Sequence, residues 1–209
     1  MAAASAELTP RKSPLQARAR ATKEALHVAT IQVLTREGLI DCTTTRIAKR
    51  AGTSVGTLYQ YYPNRDALLA AVLEEHLGKL AEAIERTCAR LHGANLSEMA
   101  TALIATFLEV KLGNPDASNA LYAIAGERGG AELVLRGNNR MVATMSAMLA
   151  TASDTRFADP AITAAVALSS IVGCVRAVLE GYAPPGFDHQ LERQLVSLVS
   201  AYFENEAER

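Results

Sequence analysis

An all-α fold in two parts, a three-helix N-terminal domain and a larger helical body, is what this sequence predicts. Three observations carry that expectation. Apolar residues recur at helical spacing along most of the chain, and the breaks between periodic stretches hold Gly, Pro, Asn and Asp. No run alternates β-branched residues as a strand would, and no internal repeat of solenoid length is visible. With 209 residues the chain is long enough to bury a sizeable core. The expected boundaries are a disordered basic arm over 1–14, a helix-turn-helix domain over 15–63, and a helical body over 64–209.

Residues 1–14 are rich in Ala, Ser and Pro. Arg11 and Lys12, followed by Arg18 and Arg20, make either a basic arm that trails along a nucleic-acid groove or a solvated tail. The spacing predicts a first helix over Leu15–Glu37, with Leu26, Ala29, Thr30, Val33 and Leu34 on one face and Gly38 closing it. Thr43 suits the cap of a second helix, on which Ile47, Ala48 and Ala51 share a small apolar face. Gly52 is placed as a left-handed stop. Ser54 suits the cap of a third helix, Val55–Tyr61, with Leu58 inward and Pro63 ending it. Asn64 caps a long fourth helix running to about His92, with Asp66 in its first turn where the helix dipole favours an anion. No Pro/Gly/Ser linker separates the two parts, so motion of the body can be transmitted as rotation of the third helix.

Two helices joined by so tight a turn cross steeply, and the second is presented outward. What it presents is Val55, Gly56, Thr57, Tyr59, Gln60 and Tyr61. Gly56 in mid-helix costs ~1 kcal/mol against alanine, an expense that a backbone pressed against phosphate or a base edge would offset. Gln60 can pair with an adenine edge, the Thr57 methyl can touch a thymine methyl, and Tyr59 and Tyr61 can donate to phosphates. Arg46, Lys49, Arg50 and Arg65 supply positive charge around that face. Net charge is only −1, yet residues 1–66 hold ten Lys/Arg against five Asp/Glu, and the remainder eleven against seventeen. A basic end and an acidic remainder confine the electrostatic footprint to one part of the chain.

The run TRIAKRAGTSVGTLYQYYPNRDALL resembles the DNA-binding segment of the tetracycline-repressor (TetR-like) family of bacterial transcription regulators. The matching elements are Ile47-Ala48, Ala51-Gly52, Ser54, Gly56-Thr57-Leu58-Tyr59, Tyr62 and the basic Arg65 before Asp66. The resemblance implies DNA contacts from Thr44, Thr45, Ser54, Gly56, Thr57, Tyr59, Tyr61 and Arg65. Arg46, Val55 and Gln60 complete the candidate set from the reading of the helix itself. Val55 departs from the pattern, standing where many members carry lysine or another polar residue, so a phosphate contact there is replaced at most by an apolar touch. The fold the resemblance implies is all-α: an N-terminal three-helix helix-turn-helix domain joined by a long helix to a larger helical ligand-binding and dimerisation domain. The partners it implies are double-stranded operator DNA, a second copy in a homodimer, and a small-molecule effector.

The body predicts helices over Leu96–Leu112, Pro115–Glu127, Ala131–Ser153, Pro160–Tyr182 and Asp188–Glu206, with Asn138 and Asn139 beside Gly137 as an expected interruption. The last two are apolar enough to pair with their copies, through Ile162, Val166, Ser169 and Gly173 on one and Leu191, Leu195, Leu198 and Tyr202 on the other. The same residues could instead close the core of one chain. An effector pocket is expected between residues 96 and 153, with Phe107, Glu109, Tyr122, Arg128, Met141, Met145 and Met148 as candidate lining. The methionine stripe is equally the pattern of plain core, and Glu127 and Arg128 equally that of a solvated helix end.

No cofactor, metal site or membrane span is expected. Four histidines are scattered without a metal-ligand or hydrolase motif, and Cys42, Cys88 and Cys174 have no CxxC spacing. The uncharged run Ala161–Val175 has fifteen residues, short of the about twenty that cross a bilayer. A cytoplasmic protein without enzymatic activity is the expectation; the alternatives are an enzyme, and a helical binding module whose N-terminal domain contacts only protein.

Overall fold

The computed structural model describes residues 14–127 and 129–208. Arg11 and Lys12 of the basic arm, and Arg128 of the expected pocket, lie outside the described residues. The described residues form nine helices and one two-residue β pairing, so the all-α expectation holds. They are α1 (Pro14–Asp41), α2 (Thr44–Arg50), α3 (Val55–Tyr61), α4 (Arg65–Arg90), α5 (Leu96–Leu112), α6 (Pro115–Ala125), α7 (Gly130–Leu149), α8 (Pro160–Leu179) and α9 (Phe187–Glu206). The short strands β1 (Arg156–Phe157) and β2 (Ala207–Glu208) pair antiparallel, a contact that the sequence pattern does not announce. The chain divides into two compact units between Leu68 and Leu69, inside α4.

In the first unit each helix start is written locally. Thr43 Oγ1 accepts from the Arg46 amide at 3.3 Å, Ser54 Oγ from Thr57 at 3.0 Å, and Asn64 Oδ1 from Ala67 at 2.8 Å. Each satisfies an N–H that the helix itself cannot. α1 leaves helical geometry at Gly38 (φ +77°), and Gly52 turns the chain between α2 and α3 at φ +67°. Both angles lie in the left-handed region where a side chain is strained. Leu26, Ala29, Val33, Ile47, Ala48, Leu58 and Leu68 are buried together as the core of this unit. His27 Nε2 and the Tyr62 hydroxyl share a 2.6 Å hydrogen bond, tying the end of the α3 segment to α1. Cys42 is fully buried, and that burial pushes its thiol up to about 11, which keeps it protonated and unreactive.

In the second unit α5 packs on α9 and α7 on α8, around Leu103, Phe107, Met145, Ile171, Val199 and Phe203. Phe157 meets Phe203 edge-on at 6.1 Å, which places the β pairing against this core. α7 runs unbroken through Gly137, Asn138 and Asn139. The expected interruption is therefore corrected: one glycine and two asparagines lower helix propensity, but packing of Leu133, Met141 and Met145 overrides it. A bidentate pair from Arg140 to Glu85 (2.6 and 2.7 Å) links α7 to α4. Being exposed, it contributes little stability.

α8 is the one helix among the described residues long and apolar enough to cross a membrane, with a mean hydropathy of 2.0 over its most apolar window. One of its faces, Ala164, Ala167, Leu168, Ile171 and Val175, is buried in the unit's own core, as a helix of a packed bundle requires. The opposite stripe carries Ile162 and Val166, 61% and 43% exposed, with Ser169 and Gly173 continuing it. On α9 Leu198 is likewise 50% exposed. Leu191 and Leu195 are corrected: both are only 1% exposed, interior to this chain, because α9 has a second apolar face that packs inward. Tyr202 is half-buried against Phe203.

Candidate DNA-reading helix and effector cavity

α3 is anchored by a single deeply buried side chain, Leu58, and offers the rest of its surface outward. Gly56 and Gln60 are exposed, Tyr59 is 50% exposed, and Val55, Thr57 and Tyr61 are partly so. From α2, Thr44 reaches the same edge, its hydroxyl 3.4 Å from that of Tyr59, and Thr45 beside it in sequence is exposed. Ser54 and Thr57 hydroxyls are 2.9 Å apart at the helix start. The structure thus gathers hydroxyls, an amide and a bare stretch of backbone on one outward face. A Cβ built on Gly56 would meet only Ser54 Oγ, at an ordinary 3.6 Å. Nothing inside the chain therefore requires glycine at this position.

The charged residues behave differently from the sequence reading. Arg46 is held by Glu37 at 2.6 Å and Asp41 at 3.0 Å, which neutralises much of the charge it was expected to present. Arg65 is half-buried and donates to the Leu39 carbonyl at 2.7 Å, pinning the start of α4 to the end of α1. Its role in this geometry is positioning. Arg50 donates to Gln32, and with Arg36 and Lys49 it borders a surface hollow on the α1–α2 side. Sequence reasoning missed Lys23, whose ammonium lies 5.9 Å from the Tyr61 ring centroid. It sits on α1, thirty-eight positions upstream, and only tertiary packing makes it a neighbour.

The second unit holds a partly open cavity of about 140 Å³ between α4, α5, α6, α7 and α8. Phe107, Tyr122 and Met141 line it as expected, beside Leu73, Leu77, Leu121, Val134, Asn138 and Val172. Met145 and Met148 do not reach it; they are core, at 1% and 0% exposed. Glu109 does not reach it either, being exposed on another face of α5. What the sequence did not suggest is the polar cluster: His76, Lys111 and Arg176. Lys111 is only 5% exposed, its Nζ 3.4 Å from His76 Nε2 and 4.4 Å from the Tyr122 ring centroid. The Arg176 guanidinium approaches the same ring at 5.4 Å and pairs with Glu180 at 2.8 Å.

Burial sets the protonation of this cluster. It lowers Lys111 to about 8, and burial, then the nearby charges of Lys111 and Lys79, lowers His76 to about 4. Burial raises the Tyr122 phenol to about 12, so it stays a neutral donor. For His76 the unfolded chain takes up a proton below the ordinary value of 6.5, while the folded chain resists it until about 4. Stability contributed by the neutral imidazole is therefore complete above 6.5 and lost as pH falls to about 4. At about 1.4 kcal/mol per unit the loss is on the order of a few kcal/mol. His76→Gln should flatten that acid limb in urea midpoints measured from pH 7 to 4; an unchanged limb would place the loss elsewhere.

Among the described residues no group of three His, Cys, Asp or Glu stands together as a metal site. A short outward helix, braced by α2 across a glycine turn and followed by a helical unit with its own cavity, defines a helix-turn-helix protein of the regulator type. Residues 26–72 match the family model described as bacterial regulatory proteins, tetR family, and residues 95–203 match that described as tetracyclin repressor-like, C-terminal domain. The chain belongs to the TetR family. Curated relatives include the HTH-type transcriptional regulator BetI 1 of Chromohalobacter salexigens, 40% identical over 28% of this chain and 29% of that protein. BetI of Stenotrophomonas maltophilia is 39% identical over 31% and 33% of the respective chains. The match thus spans only about a third of these relatives. Over the whole chain the fold is similar to a TetR family transcription regulator from Marinobacter aquaeolei (TM-score 0.66, 21% identity, 93% of this chain and 100% of that one). It is also similar to SmeT, the repressor of the Stenotrophomonas maltophilia multidrug efflux pump SmeDEF (TM-score 0.68, 20% identity, 90% and 93%).

Proposed function

We propose that the chain is a ligand-responsive repressor of transcription that binds a palindromic operator as a homodimer and is released when a small molecule occupies the cavity. It works in the cytoplasm and turns over no substrate. The observation that carries this reading is Gly56: exposed, in the first turn of α3 where the sequence reading had it mid-helix, and under no steric demand from its own chain. A helix that accepts a bare backbone at such a site gains where a partner's backbone or base edge comes close. The hydroxyls of Thr44, Ser54, Thr57 and Tyr59 fit phosphate contacts around it, and Gln60 fits a base edge. The apolar stripe of Ile162, Val166 and Leu198 supports pairing of α8 and α9 with a second copy. Two reading helices related by a two-fold would then meet half-sites about one helical turn apart, or a multiple of it. α4 supports the coupling, since Leu73, His76, Leu77 and Leu80 line the cavity on the helix whose first turn follows α3 directly.

Binding to the DNA upstream of the chain's own gene tests the reading by fluorescence anisotropy. Affinity should fall steeply with salt. Tyr59→Phe should weaken all sequences alike, whereas Gln60→Ala should cost ~1–3 kcal/mol at one base pair and relax preference there. A uniform loss in Gln60→Ala would overturn its assignment as a base reader, and binding without salt dependence would overturn the operator reading itself.

A further inference from the structure

Lys111 is a buried cation with no anion. Among the described residues its one hydrogen-bond acceptor is a neutral imidazole, and no carboxylate stands within ion-pair distance of it. Buried charges in proteins are ordinarily paired, because an unpaired one forfeits its hydration without return. The cavity lining holds two cations, a histidine, an asparagine and a phenol, and no Asp or Glu at all. Every other lining side chain is apolar. The face of Tyr122, the natural seat for a positively charged ligand, already has Lys111 and Arg176 stacked near it. A cationic ligand would meet the unpaired Lys111 ammonium there, the one carboxylate near the ring, Glu180, being already paired with Arg176. A neutral ligand would leave the ammonium as it is.

We infer that the effector is a small organic acid whose carboxylate pairs with Lys111 and whose apolar part lies among Leu73, Leu77, Phe107, Leu121 and Val172. This rests on the cavity being the effector site of the repressor proposed above. Size narrows the class further. A space of about 140 Å³ is close to the engineered cavity of ~150 Å³ in another protein that accepts benzene, so the apolar part is one aromatic ring or a short alkyl chain. His76 is a positioning residue: as an acceptor it holds the ammonium toward the cavity. Arg176 is 52% exposed at its side chain and already paired, so it guards the rim and is not the anchor.

Calorimetric titration of the full chain with benzoate, phenylacetate and hexanoate, beside benzamide and benzyltrimethylammonium, tests the class. At least one acid should bind ten or more times tighter than benzamide, and the quaternary ammonium should not bind. Lys111→Met, which replaces a buried charge by a side chain of similar length, should fold and should lose that tenfold preference while keeping benzamide affinity. His76→Gln should weaken the acid by a smaller factor. Binding of the cation as tightly as the acids, an unchanged preference in Lys111→Met, or failure of all three acids to bind would overturn the inference. An operator-release assay separates the two claims. If an acid binds through Lys111 yet leaves operator affinity unchanged, the ligand class stands and the effector role falls. If only neutral or cationic compounds release the operator, the role stands and the class falls.

Discussion

Gly56→Phe should abolish operator binding, by at least ~100-fold or about 2.7 kcal/mol, while the chain stays folded. The position is exposed and its φ is ordinary for a helix; an added Cβ meets nothing closer than 3.6 Å. The fold thus accepts a side chain, but a duplex pressed against the same backbone does not. Gly56→Ala makes the contrast sharper. It should stabilise the chain by less than the ~1 kcal/mol of a helix interior, since Gly56 lies in the first turn of α3, and still weaken DNA binding. Thermal melting and anisotropy on the same samples read the two signs. Parallel loss of stability and binding in Gly56→Ala would mean that glycine serves the fold, and the reasoning from this residue would fail.

Leu58→Ala should be the most damaging substitution in the first unit, at ~2–5 kcal/mol in urea unfolding. Leu58 is completely buried and is the one interior side chain on α3, the helix that packs on α2. A helix of seven residues has no stability of its own, so what holds it is packing. The chain has no tryptophan, but Tyr59, Tyr61 and Tyr62 flank the site, and near-ultraviolet dichroism follows their loss of order. A cost below ~1 kcal/mol would show that α3 is held by something other than this side chain.

The contrast between these two neighbours also marks what the sequence could reveal. The caps at Thr43, Ser54 and Asn64 and the turns at Gly38 and Gly52 were legible because their chemistry is local: a side-chain oxygen three residues before an orphan amide, a glycine where φ is positive. Helix bounds in the body followed from the same signals at Asn95, Asn114 and Asp159. Partnership between distant elements was not legible. Lys111 near the end of α5 reads as a solvated helix-terminal cation, and only the packing of α4, α6 and α8 around it makes it interior. Arg46 and Arg65 read as free positive charge, yet one meets Glu37 and Asp41 and the other the Leu39 carbonyl. Leu191 and Leu195 share their helix with the exposed Leu198, and periodicity alone does not say which apolar face turns inward. The methionine stripe of α7 split for the same reason: Met141 touches the cavity, and Met145 and Met148 lie beyond it.

The claim beneath all of this is that the outward face of α3 reads a duplex in the major groove, twice per dimer. Selection of bound duplexes from a randomised pool by the full chain measures it most directly. The account predicts enrichment of two-fold symmetric sequences with half-sites about one helical turn apart, or a multiple of it, and no enrichment with Gly56→Phe. Enriched sites without symmetry, or the same sites recovered by Gly56→Phe, would contradict it.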